Sequence, residues 1–339
     1  MDEISIVGLD LAKSVFQVHA VDADGAVVVR RSLRRSRMID WFAKLPRCLV
    51  GMEACATAHY WARELTSLGH EVRLIPPAYA KAYVRRNKND AADAAAICEA
   101  VSRPQMRFVT AKTEAQQAQA GLHRVRDLLV RQRTMLLNQL RGLMAEFGMV
   151  APRGAWRVAA LRTIVADPAD RRLPDALREA LAANVAVLTA IEGQIEDLDR
   201  RLLAEGRADA TWRHLVTAPG YGPILASAFV ALVVDPGAFR SGADFAASLG
   251  LVPRQDGTGG KIKLGPISKR GNGYLRRLLV NGAMAVLRTK RATDDPWLAR
   301  LLATKPRKVV AVALANKMAR IGWAIMMRQQ DFRPRAAQA

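Results

Sequence analysis

The chain has 339 residues, half of them hydrophobic, and Lys plus Arg outnumber Asp plus Glu by 52 to 31, a net charge of +21. A positive surplus this large implies a polyanionic partner, nucleic acid being the usual one, and argues against a soluble protein with no specific partner. Three cysteines, Cys48, Cys55 and Cys98, without Cys-x-x-Cys spacing exclude a disulfide frame or zinc site and read as buried thiols in a reducing compartment. Neither a signal peptide nor a long uninterrupted apolar segment able to span a membrane is read in the chain, so a cytoplasmic protein with two domains as the natural expectation follows.

Residues 4–10 form a short apolar run that ends in Asp10 and reads as a buried strand. Residues 15–21, an Asp24-Gly25 turn and residues 26–33 read as a hairpin, so three antiparallel strands come first. A helix follows over 38–45. Residues 48–53 are a second apolar run ending in a carboxylate, Glu53. An amphipathic helix over 57–68 closes at Gly69, and a strand over 71–75 stops at Pro76 and Pro77. Hairpin strands followed by alternating helix and strand predict a mixed α/β sheet. At 85–97 a basic run meets Asp90 and Asp93, and the alanines after them favour a helix. Residues three apart share a helix face, so the two carboxylates project side by side.

Ligand crevices of open α/β sheets lie outside the carboxyl ends of the strands. Asp10 and Glu53 sit at two such ends, where an unpartnered charge is costly. Taken singly, each acid reads as an ordinary cap or surface carboxylate. Together Asp10, Glu53, Asp90 and Asp93 form a pattern suited to a two-metal nuclease centre, because hard cations such as Mg²⁺ take oxygen ligands.

From 113 to 149 apolar residues recur at steps of three and four, with arginines over much of the rest. After an irregular stretch the spacing returns over 177–202. Two long helices able to pack as a coiled-coil arm are predicted, either as a hairpin within the chain or as an oligomer contact. Pro-Gly-Tyr-Gly at 219–222, between apolar helical segments, reads as a helix-hairpin-helix turn or as a plain tight turn. In the first case Gly220 and Gly222 would offer backbone N–H groups to phosphate. Residues 254–273 read as a glycine-rich basic loop, without Walker spacing. Arg254, Lys261, Lys263, Lys269, Arg270, Arg276 and Arg277 would supply its charge for nucleic acid, unless the loop is merely flexible and solvated. Two apolar helices, 274–287 and 309–327, precede a disordered tail.

Several short motifs occur in a specific order. They are Gly-Leu-Asp-Leu-Ala-Lys at 8–13, Met-Glu-Ala at 52–54, Asn-Lys-Asn-Asp-Ala-Ala-Asp at 87–93 and Pro-Gly-Tyr-Gly at 219–222. Leu-Gly-Leu-Val-Pro-Arg at 249–254 and Ile-Ser-Lys-Arg-Gly at 267–271 complete the set. Over nearly its whole length the chain resembles the DEDD transposases of insertion sequences, a family that includes Piv-type invertases and bridge-RNA-guided recombinases. The resemblance implies an α/β RuvC-like (ribonuclease-H-like) domain over 1–112, a coiled-coil arm over 113–206 and a mainly α-helical C-terminal transposase domain over 207–330. It implies that Asp10, Glu53, Asp90 and Asp93 bind Mg²⁺ or Mn²⁺. Family members are described as using a serine of the C-terminal domain that becomes covalently linked to DNA, and the matching position here is Thr258. Threonine is a bulkier hydroxyl that needs activation by a base or metal; Ser268, nearby, belongs to the Ser-Lys-Arg motif instead.

The expected function is therefore metal-dependent DNA cleavage and strand exchange during transposition of an insertion sequence. Expected partners are double-stranded DNA, a guide (bridge) RNA and further copies of the chain in a dimer or tetramer. The rival readings are a RuvC-like Holliday-junction endonuclease that attacks with water, and a non-catalytic nucleic-acid-binding protein.

Overall fold

In a computed structural model, which describes residues 3–80, 83, 90–152, 154, 158–258 and 261–334, the chain divides into two units, Met1–Gln117 and Ala118–Ala339. The first is built on a five-stranded sheet with β1 (Ile6–Asp10), β2 (Val15–Val21), β3 (Val27–Arg34), β4 (Leu49–Glu53) and β5 (Glu71–Ile75) in the order β3-β2-β1-β4-β5. The β1–β2–β3 meander is antiparallel, whereas β1–β4 and β4–β5 are parallel. Helices α1 (Met38–Phe42), α2 (Ala58–Ser67), α3 (Pro77–Ala80) and α4 (Asp90–Val101) complete it.

Alternation along the strands divides the sheet into two dry faces. Val7, Leu9, Val50 and Met52 share a core with Trp61, Ala62 and Leu65 of α2. Ile6, Leu49 and Ile75 pack instead with Ile97, Ala100 and Val101 of α4. A helix can come this close to the second face because two register partners in mid-strand, Gly8 and Gly51, carry no side chain. A Cβ on Gly8 would lie 2.2 Å from the Ala94 carbonyl oxygen, and one on Gly51 would lie 2.7 Å from Cβ of Val101.

The second unit begins within α5 (Glu114–Ala145), followed by α6 (Ala159–Ala166) and α7 (Asp175–Ala208). Helices α5 and α7 pair antiparallel within the chain: Gln119 bonds Glu205, Arg126 grips Asp199, and Gln139 bonds Asn184. Leu137, Leu140 and Met144 of α5 pack with Leu161 and Val165 of α6 and with Leu181 and Leu188 of α7. The stretch expected to be irregular thus contains α6. Buried Arg178 of α7 donates to the Ile164 and Val165 carbonyls, satisfying helix-end acceptors.

Helices α8 (Ala210–Leu215), α9 (Pro223–Leu232), α10 (Gly242–Ser248), α11 (Gly273–Val286), α12 (Arg291–Asp294), α13 (Pro296–Thr304) and α14 (Arg307–Arg328) form the rest of this unit. Helix α14 is long and apolar enough to cross a membrane by length and composition only, and half of that stretch is buried inside the protein. Val310, Leu314, Met318 and Ile325 of that helix lie in the unit's core with Phe229 and Leu279. The segment expected as a loop is an antiparallel two-stranded ribbon, β6 (Pro253–Thr258) and β7 (Lys261–Ile267). Glycine and lysine content suggested a loop. The ribbon's strands pair through backbone hydrogen bonds, which hydropathy does not register.

Candidate active site and nucleic-acid interface

Asp10 and Glu53 are the last residues of β1 and β4. The strands run parallel with Leu9 opposite Met52, so the two acids stand side by side at one end of the sheet. Alternation from Gly8 and Gly51 puts both on the face covered by α4, and both are half-buried. The Cys55 thiol lies near enough to both to feel their charge. Burial first, then Glu53 and Asp10, hold its pKa above the usual range.

Helix α4 runs against β1 in the opposite sense, with Cys98 beside Ile6 and Ala94 beside Gly8. Two strand residues advance about 6.6 Å and four helix residues about 6 Å. The step from Gly8 to Asp10 therefore matches the step from Ala94 back to Asp90. This brings the first turn of α4, with half-buried Asp93, to the Asp10 end. Residues 85–89 and the side chain of Asp90 lie outside the described residues. Carboxylate oxygens such as those of Asp10, Glu53 and Asp93 are hard donors, of the kind that Mg²⁺ or Mn²⁺ takes. Among the described residues, no three His, Cys, Asp or Glu side chains already form a group able to hold a metal ion.

In the second unit, Gly222 is exposed immediately before α9, with Pro223 at the first helical position. Gly220 has φ +82° and serves packing instead. A Cβ there would lie 2.7 Å from the Met318 methyl, and its carbonyl abuts Gly282. The turn is thereby pinned to α14 and α11.

The ribbon's base is also fixed by glycines. Gly250 (φ +70°) and Gly271 (φ +73°) let the turns at 249–251 and 268–271 meet backbone to backbone. Lys269 N–H donates to the Gly250 carbonyl at 3.2 Å, and Ser268 N–H to the Val252 carbonyl at 2.8 Å. Ser268 Oγ accepts from Arg270 N–H at 3.5 Å, a long contact within its own turn.

The basic residues separate into two groups. Arg254, Lys261, Lys263, Lys269 and Arg270 are exposed and make no ion pair among the described residues. Arg276 instead donates to the Leu249 and Arg270 carbonyls at 2.8 and 2.9 Å, stapling the ribbon's base. Arg277 pairs with Asp127 and lies 5.4 Å from the Tyr274 ring centre. Thr258 is the last residue of β6, with Lys261 as its register partner; its side chain, Gly259 and Gly260 lie outside the described residues.

Beneath α11 lies a polar knot that the spacing of apolar residues did not reveal. His123 is buried, with one ring nitrogen 3.1 Å from Tyr274 Oη and the other 3.0 Å from Ser227 Oγ. Arg126, paired with Asp199, also bonds Tyr274. Burial, reinforced by Arg126, lowers the pKa of His123 to about 4. The only sequence signal was an isolated histidine on a helix rich in leucine and arginine.

A mixed sheet with paired acids at its strand ends is consistent with the first domain expected of a DEDD transposase. Residues 7–149 match a family described as Transposase, and residues 213–298 one described as Transposase IS116/IS110/IS902 family. A probable family 20 transposase of Pseudomonas aeruginosa is 52% identical, over 98% of this chain and 99% of that protein. The transposase for insertion sequence element IS1328 of Yersinia enterocolitica is 42% identical, over 98% and 99% of the two chains. The corresponding protein for IS1111A of Coxiella burnetii is 40% identical, over 98% and 92%. The chain belongs to the IS116/IS110/IS902 family of transposases.

Proposed function

We propose that the chain cuts and rejoins DNA at the ends of an insertion sequence, with Asp10, Glu53, Asp90 and Asp93 holding divalent metal and Thr258 taking the DNA end. The observation that carries the reading is the placement of Asp10 and Glu53 on adjacent parallel strand ends, on the face covered by the helix bearing Asp90 and Asp93. Bound there, Mg²⁺ or Mn²⁺ would neutralise charge on the phosphate oxygens. The carboxylates would hold that metal against the phosphodiester, and the Thr258 hydroxyl forms the new oxygen–phosphorus bond. The sugar oxygen leaves and takes up a proton to become a free hydroxyl, while the Thr258 proton passes to solvent or a neighbouring base. A free DNA hydroxyl then attacks the same phosphorus, restoring Thr258 and joining the strands.

Exposed Arg254, Lys261, Lys263, Lys269 and Arg270 hold the DNA backbone in this reading. Gly222 adds its backbone N–H at the start of α9, in a turn of helix-hairpin-helix type. A guide RNA, a homo-oligomer assembled through the α5–α7 arm, and a cytoplasmic site of action belong to the same reading.

The full chain is incubated with Mg²⁺, RNA transcribed from the noncoding DNA of its element and duplex DNA carrying the element end, and detergent-resistant protein–DNA adducts are counted. Asp10→Asn and Glu53→Gln should lose cleavage and keep binding. Thr258→Ala should lose the adduct, while Thr258→Ser and Ser268→Ala retain it. Adducts that survive Thr258→Ala and vanish with Ser268→Ala would move the nucleophile. Cleavage without any adduct would identify a water-using junction nuclease, and binding without cleavage a non-catalytic protein.

A further inference from the structure

At the strand-end side of the first unit, away from α4, lies a shallow cleft of about 740 Å³. Lys13, Ser14, Arg34, Arg35, Tyr60 and Trp61 line it, and among the described residues no acidic side chain does. The β1–β2 loop and the end of β3 are tied together by the Arg35 N–H, which donates to the Ser14 carbonyl at 2.9 Å. The Arg35 guanidinium lies 5.2 Å from the ring centre of Trp61 and 5.8 Å from that of Phe16. Stacked on rings of the core, it is a preorganised cation. Among the described residues, Lys13, Arg34 and Arg35 have no carboxylate partner, although Arg37 close by is paired with Asp40. Tyr60 stands edge-on to Trp61 with 40% of its surface exposed. The Trp61 indole N–H is buried and has no acceptor among the described residues.

From these observations we infer that the cleft binds a single strand of DNA adjoining the cleavage point, with its phosphates on Lys13, Arg34 and Arg35 and an unpaired base stacked on Tyr60. Cations that track a backbone beside an aromatic platform are the elements single-strand binding needs, and a base paired inside a duplex has no free face to stack. The choice of DNA follows from position. Lys13 is three residues past Asp10, so their Cα atoms are at most about 11 Å apart. A strand with its phosphodiester at Asp10 reaches the cleft within a few nucleotides. The inference rests on the proposed cleavage centre for this choice of strand, though not for the chemistry of the cleft.

The test uses the full chain in EDTA with a single-stranded oligodeoxynucleotide carrying 5-iododeoxyuridine. Photocrosslinks are mapped by mass spectrometry, and affinity is followed against salt. Crosslinks to Tyr60 or its neighbours in the cleft are expected. Lys13→Ala with Arg34→Ala should flatten the slope of log affinity against log salt by about 1.4, the contribution of two single-strand phosphates. Tyr60→Ala should weaken binding roughly tenfold and leave that slope unchanged, while Tyr60→Phe keeps wild-type affinity. Crosslinks only outside the cleft, equal losses for duplex and single strand, or tighter binding of the same sequence as RNA would overturn the inference. Asp10→Asn separates the two readings: it should abolish cleavage and leave the crosslinks. Cleavage that survives Asp10→Asn would defeat the cleavage centre, whatever the crosslinks show.

Discussion

The two β structures of this transposase are built on opposite principles. The central strands β1 and β4 of the five-stranded sheet are covered on both faces, and Val7, Leu9, Val50 and Met52 are wholly buried. The ribbon has no such cover: Ile262 and Leu264 are 70% and 61% exposed. A two-stranded ribbon is marginal by itself, and this one depends on its base, where Gly250, Gly271, Ser268 and Arg276 lock two turns together. The sheet fixes its acids by close packing, at the cost of tolerating almost no change beneath them. The ribbon presents charge, and its outer residues are free of packing constraints.

That contrast is open to attack, most forcefully at Gly8. A Cβ there meets backbone atoms of Ala94 and Cys98 at 2.2 and 2.5 Å, so α4 must lift and carry Asp93 with it. Gly8→Ala should cost about 3 kcal/mol and abolish cleavage, read from thermal melts and a DNA-cleavage assay. If both survive, close packing of α4 is not what places the acids.

The knot beneath α11 gives the second unit a pH dependence. Buried neutral, His123 has its pKa lowered from 6.5 to about 4, so the unfolded chain binds the proton more tightly. Stability from this site is complete above pH 6.5 and is lost as pH falls towards 4, by about 2–3 kcal/mol. His19, lowered by burial and then by Arg30, adds loss in the same direction from the first unit. His123→Gln should therefore reduce the acid sensitivity of the melting temperature without eliminating it.

At the ribbon's base, Gly271→Ala places a Cβ 1.8 Å from the Ser248 carbonyl oxygen at a positive φ. About 2 kcal/mol of destabilisation is expected, with loss of the covalent DNA adduct. The smallest effect on stability belongs to Lys261→Ala with Lys263→Ala. Both side chains are exposed, so the melt should not move. The salt slope of duplex binding should flatten by about 1.8 if each lysine neutralises one phosphate. An unchanged slope would remove the ribbon from the DNA interface.

The sheet was largely legible because its signals are local. Short apolar runs ending in Asp10 and Glu53 read directly as buried strands, and the spacing of leucines marked α5 and α7. The close seat of α4 was not legible, since a mid-strand glycine reads equally as a weak point or a bulge. The ribbon was hidden by a composition that hydropathy assigns to loops. Charge alone could not separate Arg276 and Arg277, which bind internal acceptors, from the exposed lysines beside them. Short helices such as α6, α10 and α13 carry too few turns to declare a period.

The histidine knot also acts as an index mark for assembly of the second unit. A seam of leucines can slip by one helical turn and remain greasy, losing little. His123 needs a hydroxyl at each ring nitrogen, and only one alignment of α5 on α9 and α11 supplies Ser227 and Tyr274 together. Every slipped alignment buries an unmatched imidazole, a penalty of about 1–3 kcal/mol for each missing bond. The helix that follows the ribbon is thus held to one position on α5 by matching of donors and acceptors, which apolar contact alone does not enforce.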